Sequence, residues 1–294
     1  MKPLVSVVIP FYENVDWLKE AVDSVLNQSY DNYEVIIIND GSNENMKSFL
    51  QIYEKKINYF YKENGGPATA RNLGIEYTVG KYIAFLDSDD IWDSKKLEKQ
   101  IELMENNNSI WSHTSYRLFG CGENKIIDVE GYGNMIFDKI LVSSPLATPC
   151  IIVKAEILKN NQDLRFNTAM RYGQDYYLWL KLASKFPIHY LEEPLCSVRI
   201  RGANAARRAK VQLRTRATIW YYLNDSSDET FNRITIKKRI KIPYMLCDYS
   251  SYLVGGINKI VKNENIIEYT SKVLYFIPWL ILKANKYLMK SFNS

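Results

Sequence analysis

The sequence is poor in the two residues that most often build structural metal sites and crosslinks. It has two histidines and four cysteines in 294 residues, and no two cysteines form a CxxC pair. A structural zinc site or a disulfide framework is therefore not expected, and a reducing cytoplasm fits. No apolar run approaches the ~18–20 residues of a membrane span. No signal peptide is expected, since no small-residue cleavage site follows the first strand-like run.

Two common nucleotide-binding signatures are also missing. Neither GxGxxG nor GxxxxGK[ST] occurs in the chain. A dinucleotide-dependent oxidoreductase loses its main support, and a P-loop nucleotidase is equally weak. If the protein binds phosphates, it must therefore bind them through a metal ion and isolated basic residues and not through a glycine-rich loop.

Charge is distributed unevenly along the chain. Residues 1–200 contain 21 Lys and Arg against 27 Asp and Glu, whereas residues 201–294 contain 17 against 6. A body of net charge −6 is thus followed by a tail of net charge +11, which together make the overall +5. Basic tails attract nucleic acid or anionic membrane surfaces, so both partners are considered.

The first 90 residues alternate between strand and helix patterns. Runs that are apolar on both faces and separated by helices indicate a parallel sheet covered on both sides, which predicts a Rossmann-like α/β sheet. Pro67 is expected at a helix start, and Ser42 or Asn43 is expected to cap an earlier helix. The predicted strands are Leu4–Ile9, Glu34–Ile38, Ile57–Tyr61 and Tyr82–Leu86.

Beyond residue 90 the alternation is less regular. A helix over Ser94–Glu105 is expected to be capped by Ser94, and a helix over Tyr172–Ser184 has a strong apolar face. From about Ala203 onward the pattern is helical and basic. The predicted strands are Ile110–Leu118 paired with Lys125–Val129, Ala147–Val153, and shorter pieces with turns within His189–Ile200.

Polar residues follow each of the first four predicted strands, where open α/β sheets bind their ligands. Three aspartates stand within Asp87–Asp90, and such a concentration of negative charge is unfavourable unless a cation neutralises it. One such cation is a divalent ion whose coordination shell is completed by phosphate oxygens. A solvated acidic loop that caps the next helix is the alternative.

Five segments together resemble the motif series of the family 2 inverting glycosyltransferases with the GT-A fold. They are VSVVIPFYEN, IIINDGS, NGGPATARNLGI, YIAFLDSDD and GQDYYLWLKL. Their order and their placement at strand ends agree with that family over residues 4 to about 202. The resemblance implies a GT-A catalytic domain at 1–202, with a mostly parallel central sheet flanked by helices. Its nucleotide-binding half would be 1–90 and its acceptor and catalytic half 91–202, followed by a basic helical region at 203–294.

The resemblance also implies roles for individual residues. Asp89 and Asp87 would ligate Mn²⁺ or Mg²⁺, and Asp175 would be the catalytic base. Asp40 would accept a hydrogen bond from the imide N–H of uracil, which cytosine lacks. The residues expected to bind the nucleotide are Pro10, Tyr12, Glu13, Asp40, Gly66, Arg71, Asp87 and Ser88. For Arg71, an ordinary charge on a helix surface is the alternative.

The chain departs from the family pattern at two positions. Gln174 stands where the family usually has a glutamate, which leaves the role of this position open. Arg201 stands where many members have a histidine, and arginine has no lone pair to give a metal. We therefore expect Arg199 and Arg201 to bind the diphosphate, unless they merely begin the basic tail.

The resemblance implies an acceptor or sugar pocket near His113, Thr148, Gln174 and Trp179. For His113, a buried packing role is the alternative.

The basic tail contains the apolar run Val273–Leu282, interrupted by Pro278 and followed by lysines. Ten residues cannot span a bilayer, so the run is expected to lie on an anionic leaflet. Packing on the catalytic domain or on another subunit is the alternative, and a homodimer is left open. Nucleic acid is not an expected partner, because no recognised binding motif accompanies the basic residues.

The leading hypothesis is transfer of a sugar from a UDP-sugar to a glycan acceptor during synthesis of O-antigen, capsule or exopolysaccharide. The acceptor would be lipid-linked, and the enzyme would sit peripherally at the inner face of a bacterial plasma membrane. The alternatives are a sugar-nucleotide nucleotidyltransferase and a catalytically impaired, membrane-associated binding module.

Overall fold

The computed structural model describes residues 1–202, 208–225, 231 and 234–291. The chain divides into two compact units. The first comprises Met1–Met135 and Pro145–Arg201, and the second comprises Ile136–Ser144 and Gly202–Ser294. The inclusion of Ile136–Ser144 in the second unit was not indicated by the sequence pattern. The functional roles assigned to the two halves of the catalytic domain stay predictions.

The first unit, which lies wholly within the described residues, is built on a mixed sheet of nine strands. Their order is β3-β2-β1-β4-β8-β6-β9-β5, with β7 paired to β6. Strands β1 to β4 are mutually parallel, whereas β8 runs antiparallel to its neighbours β4 and β6. The strands are β1 Val5–Phe11, β2 Tyr33–Asp40, β3 Asn58–Lys62, β4 Tyr82–Phe85, β5 Ile91–Trp92, β6 Trp111–Gly120, β7 Glu123–Ile127, β8 Ile152–Lys154 and β9 Ile188–Arg199.

Helices cover the sheet of the first unit. They are α1 Val15–Leu26, α2 Lys47–Tyr53, α3 Pro67–Tyr77, α4 Lys96–Asn106, α6 Ala155–Lys159 and α7 Gln174–Lys185, with a 3-10 turn at Thr148–Cys150. Alternate residues of β2 enter different clusters. Val35 and Ile37 belong to the large core that includes α1 and α4, whereas Ile36 and Ile38 pack with Ala70 of α3. The predicted burial is therefore confirmed for β1, β2 and β4, whereas the edge strand β3 is partly exposed.

Three local predictions were wrong. α2 begins at Lys47 without a side-chain cap, because Ser42 and Asn43 lie too far ahead of it. α4 begins at Lys96, and Asp93 rather than Ser94 accepts the neighbouring N–H of Lys95 at 2.9 Å. Residues 148–150 form a 3-10 turn instead of a strand, since Pro149 has no N–H to give to a ladder.

β9 is longer than the sequence indicated. Its register against β6 shifts so that Leu191 pairs with Thr114 and Pro194 pairs with Ser115. This irregularity accommodates a proline within the strand, because a bulge leaves residues without a ladder partner. The strand continues to Arg199, which places the following residues beside the loop after β4.

The described part of the second unit is helical, as predicted. It contains α5 Phe137–Val142, α8 Ala209–Asn224, α9 Lys238–Val261 and α10 Glu264–Ser291. The helices α9 and α10 run through Pro243 and Pro278, so Pro278 does not end the apolar segment. Among the described residues, none of the helices combines the length and apolarity needed to cross a bilayer. The predicted start of the helical pattern at about Ala203 lies outside the described residues.

Candidate active site

The loops that follow β1, β2 and β4 meet at one edge of the sheet because these three strands are parallel neighbours. Pro10 lies in β1 opposite Ile38 of β2. Tyr12 and Glu13 follow β1 and are exposed, and Asp40 ends β2 as a buried residue. Asp87, Ser88 and Asp89 follow β4. The structure thus brings together the predicted nucleotide-binding residues of three separate segments.

Asp40 is held by two donors from the end of β3. Its Oδ1 accepts hydrogen bonds from Lys62 Nζ at 2.6 Å and from the Gly65 N–H at 3.0 Å. Gly41 follows at φ +73°, and a Cβ there would stand 2.5 Å from the Asn64 nitrogen, so only glycine permits this approach of the two loops. Lys62 was not singled out from the sequence, although its place at the end of a parallel strand could have indicated it.

Arg71 is the buried cation of the site. Gly66 precedes α3 at φ +87°, and Pro67 begins the helix as predicted. Arg71 lies one turn further, 6% exposed, with its guanidinium over the ring of Phe166 and Nη2 2.5 Å from Asp87 Oδ1. Its Nε has no acceptor among the described residues. The alternative of a surface charge does not fit this burial.

Three carboxylates act electrostatically on Arg71. Burial by itself lowers the pKa of Arg71, but the charges of Asp87, Asp175 and Asp89 outweigh burial, and the pKa is raised. The first and third of these carboxylates follow β4, whereas Asp175 comes from α7, far along the chain. Arg71 therefore lies within the field of both the predicted metal ligands and the predicted base.

In the acidic loop Asp87–Asp90, burial and the charge of a neighbouring carboxylate make the ionised form of Asp89 less favourable. Burial, followed by the neighbouring Asp87 carboxylate, raises the pKa of Asp89, although Arg201 opposes the shift. Arg201 Nε lies 3.0 Å from Asp89 Oδ2, and Arg201 Nη1 lies 3.5 Å from Glu13 Oε1. Arg201 is 40% exposed, so it can also reach a ligand from solvent.

Arg199 holds the loop Asp87–Asp90 in place through hydrogen bonds. Its backbone N–H donates to Asp90 at 2.8 Å, and its Nε donates to the Asp89 carbonyl at 2.9 Å. Its guanidinium also donates to Glu20 at 2.5 Å and lies over the rings of Trp17 and Phe119. These contacts occupy most of the guanidinium and tie the end of β9 to the loop after β4.

Asp175 stands in the first turn of α7, after Gly173 in the left-handed region. The helix dipole favours a carboxylate there. Thr148 Oγ1 donates to Asp175 Oδ2 at 3.1 Å, which orients the carboxylate from the neighbouring 3-10 turn. Gln174 is buried, and its Oε1 has no donor among the described residues. Thr148 is therefore a residue that positions Asp175.

His113 and Trp179 lie inside the protein. Trp179 packs against Phe85, Trp111 and Phe166 and is 1% exposed. His113 is fully buried, and its Nε2–H donates to the Tyr132 carbonyl at 2.9 Å. Burial lowers the pKa of His113 to about 4, so it is neutral at physiological pH. A role for either residue in an acceptor pocket stays a prediction.

A groove of about 590 Å³ opens beside the end of β1. Glu13, Trp17, Glu44 and Arg201 contribute to its lining. Glu44 comes from the loop after β2 and accepts the N–H groups of Asn14 and Val15 at the start of α1. Neither Trp17 nor Glu44 was identified as a site residue from the sequence, because both are ordinary helix-face or loop residues until β9 brings Arg201 beside them.

The carboxylates suit a cation that is shared with a ligand. Among the described residues, no group of three or more His, Cys, Asp or Glu side chains is placed to hold a metal ion by itself. Asp89 and Asp87 nevertheless stand two residues apart, and the Asp87 charge adds to the effect of burial in raising the pKa of Asp89. Mg²⁺-type ions are commonly held by one or two carboxylates together with substrate phosphates. The donor set therefore fits such an ion.

Comparison with known proteins identifies the family of this chain. The model of "Glycosyl transferase family 2" matches residues 6–153. A protein named "Uncharacterized glycosyltransferase" from Rickettsia bellii is 42% identical over 205 residues, which are 68% of this chain and 29% of that protein. The chain thus spans less than a third of that relative. The Escherichia coli protein WfgD, a UDP-Glc:alpha-D-GlcNAc-diphosphoundecaprenol beta-1,3-glucosyltransferase, is 31% identical over 182 residues, or 61% of this chain and 69% of WfgD.

Among solved structures, TarS 1-349 of S. aureus in complex with UDP-GlcNAc is similar with a TM-score of 0.63. The alignment covers 96% of this chain and 91% of that one at 15% identity, so it speaks for the fold alone. The predicted GT-A fold is confirmed. The chain belongs to glycosyl transferase family 2.

Proposed function

We propose that this protein is an inverting glycosyltransferase that moves a sugar from a UDP-sugar to a hydroxyl group of a glycan acceptor. One observation carries the proposal. The buried Arg71 pairs with Asp87 at 2.5 Å, and the charges of Asp175 and Asp89 also act on it and raise its pKa. A donor diphosphate at Asp87 and Asp89 would thus be close to a base that can activate the acceptor.

Asp40 reads the base of the donor in this proposal. Asp40 Oδ1 is engaged by Lys62 and Gly65, and the same carboxylate accepts the imide N–H of uracil. Cytosine has no proton on that ring nitrogen, so its ring could not donate this hydrogen bond to the carboxylate. The Tyr12 and Glu13 side chains, which are exposed beside this position, cover the ribose.

The reaction is a single displacement. Asp175 accepts the proton of the acceptor hydroxyl, and the hydroxyl oxygen forms a bond to the anomeric carbon. The bond from that carbon to the diphosphate oxygen breaks, and UDP leaves with the electron pair. Attack from the opposite face inverts the anomeric configuration. Thr148 holds the carboxylate in place through its 3.1 Å hydrogen bond.

Positive charge must balance the departing diphosphate. Arg201 is the exposed cation beside Asp89 and is assigned here to the phosphates, whereas Arg199 is occupied in bracing the loop. Asp89 and Asp87 would hold Mn²⁺ or Mg²⁺. When bound, such an ion supplies positive charge to the leaving group. The Arg71 guanidinium keeps Asp87 oriented through their ion pair.

The acceptor is proposed to be a lipid-linked sugar of a surface polysaccharide. The support is the similarity to WfgD, whose acceptor is a diphosphoundecaprenol-linked GlcNAc. A lipid-linked acceptor would place the enzyme peripherally at a membrane surface. The basic tail of net charge +11 is consistent with an anionic surface.

Ligand-dependent thermal unfolding tests the donor site. UDP, CDP, UDP-Glc and UDP-GlcNAc are added with and without Mn²⁺, since a ligand that binds the folded state stabilises it by mass action. We expect UDP to stabilise the protein more than CDP, and Mn²⁺ to increase the effect. Asp89→Asn should abolish the increase. Asp163→Asn, which changes an exposed carboxylate elsewhere, is the matched control and should keep it.

The same samples test catalysis through the release of UDP from each UDP-sugar. Release that depends on Mn²⁺ and is lost in Asp175→Asn supports the enzyme. Nucleotide binding without release would favour the binding module, and the absence of any nucleotide stabilisation would contradict the donor site.

A further inference from the structure

The helix α10 carries an exposed apolar face in addition to the face that it buries. Six apolar residues, called here the α10 stripe, lie on one side of the helix, because apart from the adjacent Phe276 and Ile277 they are separated by three, four or seven residues. Each is between 49% and 71% exposed. The α10 stripe consists of Tyr269, Val273, Phe276, Ile277, Leu280 and Tyr287.

The opposite side of α10 already accounts for packing within the second unit. Ile267, Ser271, Leu282 and Asn285 are buried there. Asn285 Nδ2 donates to the Arg239 carbonyl of α9 at 2.9 Å, which ties the end of α10 to the start of α9. Packing of the helix within its own unit is thus satisfied without the α10 stripe.

Charge around the α10 stripe has one sign. No Asp or Glu occurs after Glu268. Glu264 and Glu268 are themselves engaged by α8, because Glu264 pairs with Lys210 at 3.0 Å and Glu268 accepts the Ala209 N–H at 2.8 Å. At 3.6 residues per turn, the exposed Lys272 and Lys283 fall along one border of the α10 stripe.

Trp279 lies on the same border as these lysines. It is 41% exposed, and Lys283 Nζ lies 4.8 Å from the centre of its ring. An amphipathic ring next to a lysine and an apolar stripe is the arrangement of helices that lie in the interface of a bilayer. A long helix that is apolar on one side and too polar to span suits that position.

We propose that the α10 stripe is the surface by which this protein lies on an anionic lipid bilayer. The stripe would enter the boundary between headgroups and acyl chains, and Lys272 and Lys283 would face the anionic headgroups. The proposed lipid-linked acceptor would be located at such a bilayer, and the inference rests on the proposed function in that respect only.

A second copy of the chain is a less suitable partner for the α10 stripe, and α9 is a less suitable surface for a bilayer. A second copy of the chain that packed through the same face would be acid-free and lysine-bordered there, and would therefore offer no charge complementary to Lys272 and Lys283. The helix α9 also exposes Met245, Tyr249 and Tyr252, but the exposed Asp248 stands among them. Because lysines are complementary to anionic headgroups, a bilayer is favoured over a second copy of the chain, and α10 is favoured over α9.

Vesicle flotation with the full chain tests the proposal. Vesicles of phosphatidylcholine with one third phosphatidylglycerol are compared with pure phosphatidylcholine. We expect at least about tenfold stronger binding to the anionic vesicles, weakened by salt. Phe276→Ser/Ile277→Ser/Leu280→Ser should reduce binding by more than about tenfold, because the apolar contact is lost. Equal binding by this variant and the unchanged protein would overturn the proposal.

Matched controls separate the stripe from overall charge and apolarity. Lys272→Gln/Lys283→Gln should weaken binding by roughly 30-fold, at about one factor of five per basic residue. Lys55→Gln/Lys56→Gln removes the same charge from exposed lysines of the first unit and should retain binding. Ile52→Ser/Val79→Ser removes exposed apolar groups there and should also retain it. A control that loses as much as its partner variant would contradict the assignment.

Oligomeric state and nucleotide binding complete the test. A dimer that is dissolved by the stripe substitutions, with no vesicle binding, would assign the face to a second copy and refute the bilayer. UDP-dependent thermal stabilisation is measured on every variant and should stay unchanged. Vesicle binding without a UDP response would contradict the proposed function alone, and a UDP response without vesicle binding would contradict this inference alone.

Discussion

Replacing Arg201 by glutamine should change the affinities for nucleotide and for metal in opposite directions. Arg201 Nε lies 3.0 Å from Asp89 Oδ2, and the side chain is 40% exposed. In the proposed complex it donates to the diphosphate and also occupies a carboxylate that would ligate the metal. Removing it takes one hydrogen-bond donor from the nucleotide and one competing cation from Asp89.

The expected size follows from this geometry. Hydrogen bonds to charged groups contribute about 1.5–3 kcal/mol. Since solvent reaches Arg201, the lower end applies, and the dissociation constant for UDP should rise about tenfold. A divalent ion and a guanidinium at about 4 Å repel by about 2 kcal/mol in water, twice the value for two unit charges. Mn²⁺ alone should therefore bind about 30-fold more tightly to Arg201→Gln than to the unchanged protein.

Calorimetry with UDP and spin-resonance titration of Mn²⁺ without nucleotide would measure the two affinities. Arg201→Lys should lie between, because it keeps the charge and loses the planar fork. Arg117→Gln, an exposed arginine on β6, is the control for loss of charge and should change neither value. An unchanged UDP affinity, or weaker Mn²⁺ binding, in Arg201→Gln would refute the reasoning.

Three further predictions concern the base, its orientation and a buried histidine. Asp175→Asn should lower UDP release by about 10²–10⁴-fold with unchanged calorimetric UDP affinity, since it removes general base catalysis alone. Thr148→Val should lower kcat about tenfold at constant KM and Thr148→Ser should restore it, because only the hydrogen bond to Asp175 differs. Burial lowers the pKa of His113 from 6.5 to about 4, so the unfolded chain binds the extra proton between these values and the stability that is present above pH 6.5 is lost as pH falls towards 4. When the free energy of unfolding is measured in urea, its decrease between pH 7 and 4.5 should therefore be about 2–3 kcal/mol smaller for His113→Gln than for the unchanged protein. An equal loss would show that His113 does not carry the effect.

Much of the candidate site could be predicted because several of its residues lie where strands end. Asp40 closes β2 and Asp87 follows β4, and both positions are visible as an apolar run that gives way to polar residues. The start of α3 at Pro67 is likewise a local property of the chain. These features depend on neighbouring residues only, so periodicity and turn chemistry are sufficient to find them.

Contacts between distant segments could not be predicted in the same way. Nothing local distinguishes Lys62 as the partner of Asp40, Thr148 as the donor to Asp175, or Arg199 as the brace of the acidic loop. The bulge at Pro194 is also invisible locally, because it arises from pairing with β6. The helix caps were misassigned for a related reason, since several polar residues compete and the loop path decides which one reaches the free N–H groups.

The sequence by itself determined the alternation of strands and helices, the burial of the central parallel strands β1, β2 and β4, and the acidic and basic segments. Each follows from the side chains of consecutive residues. Only the tertiary structure decided which charges meet, that Arg201 stands against Asp89, that Arg71 is buried, and that α10 leaves a second apolar face exposed. These properties depend on distances between segments far apart in the chain, and sheet pairing and helix packing create those distances.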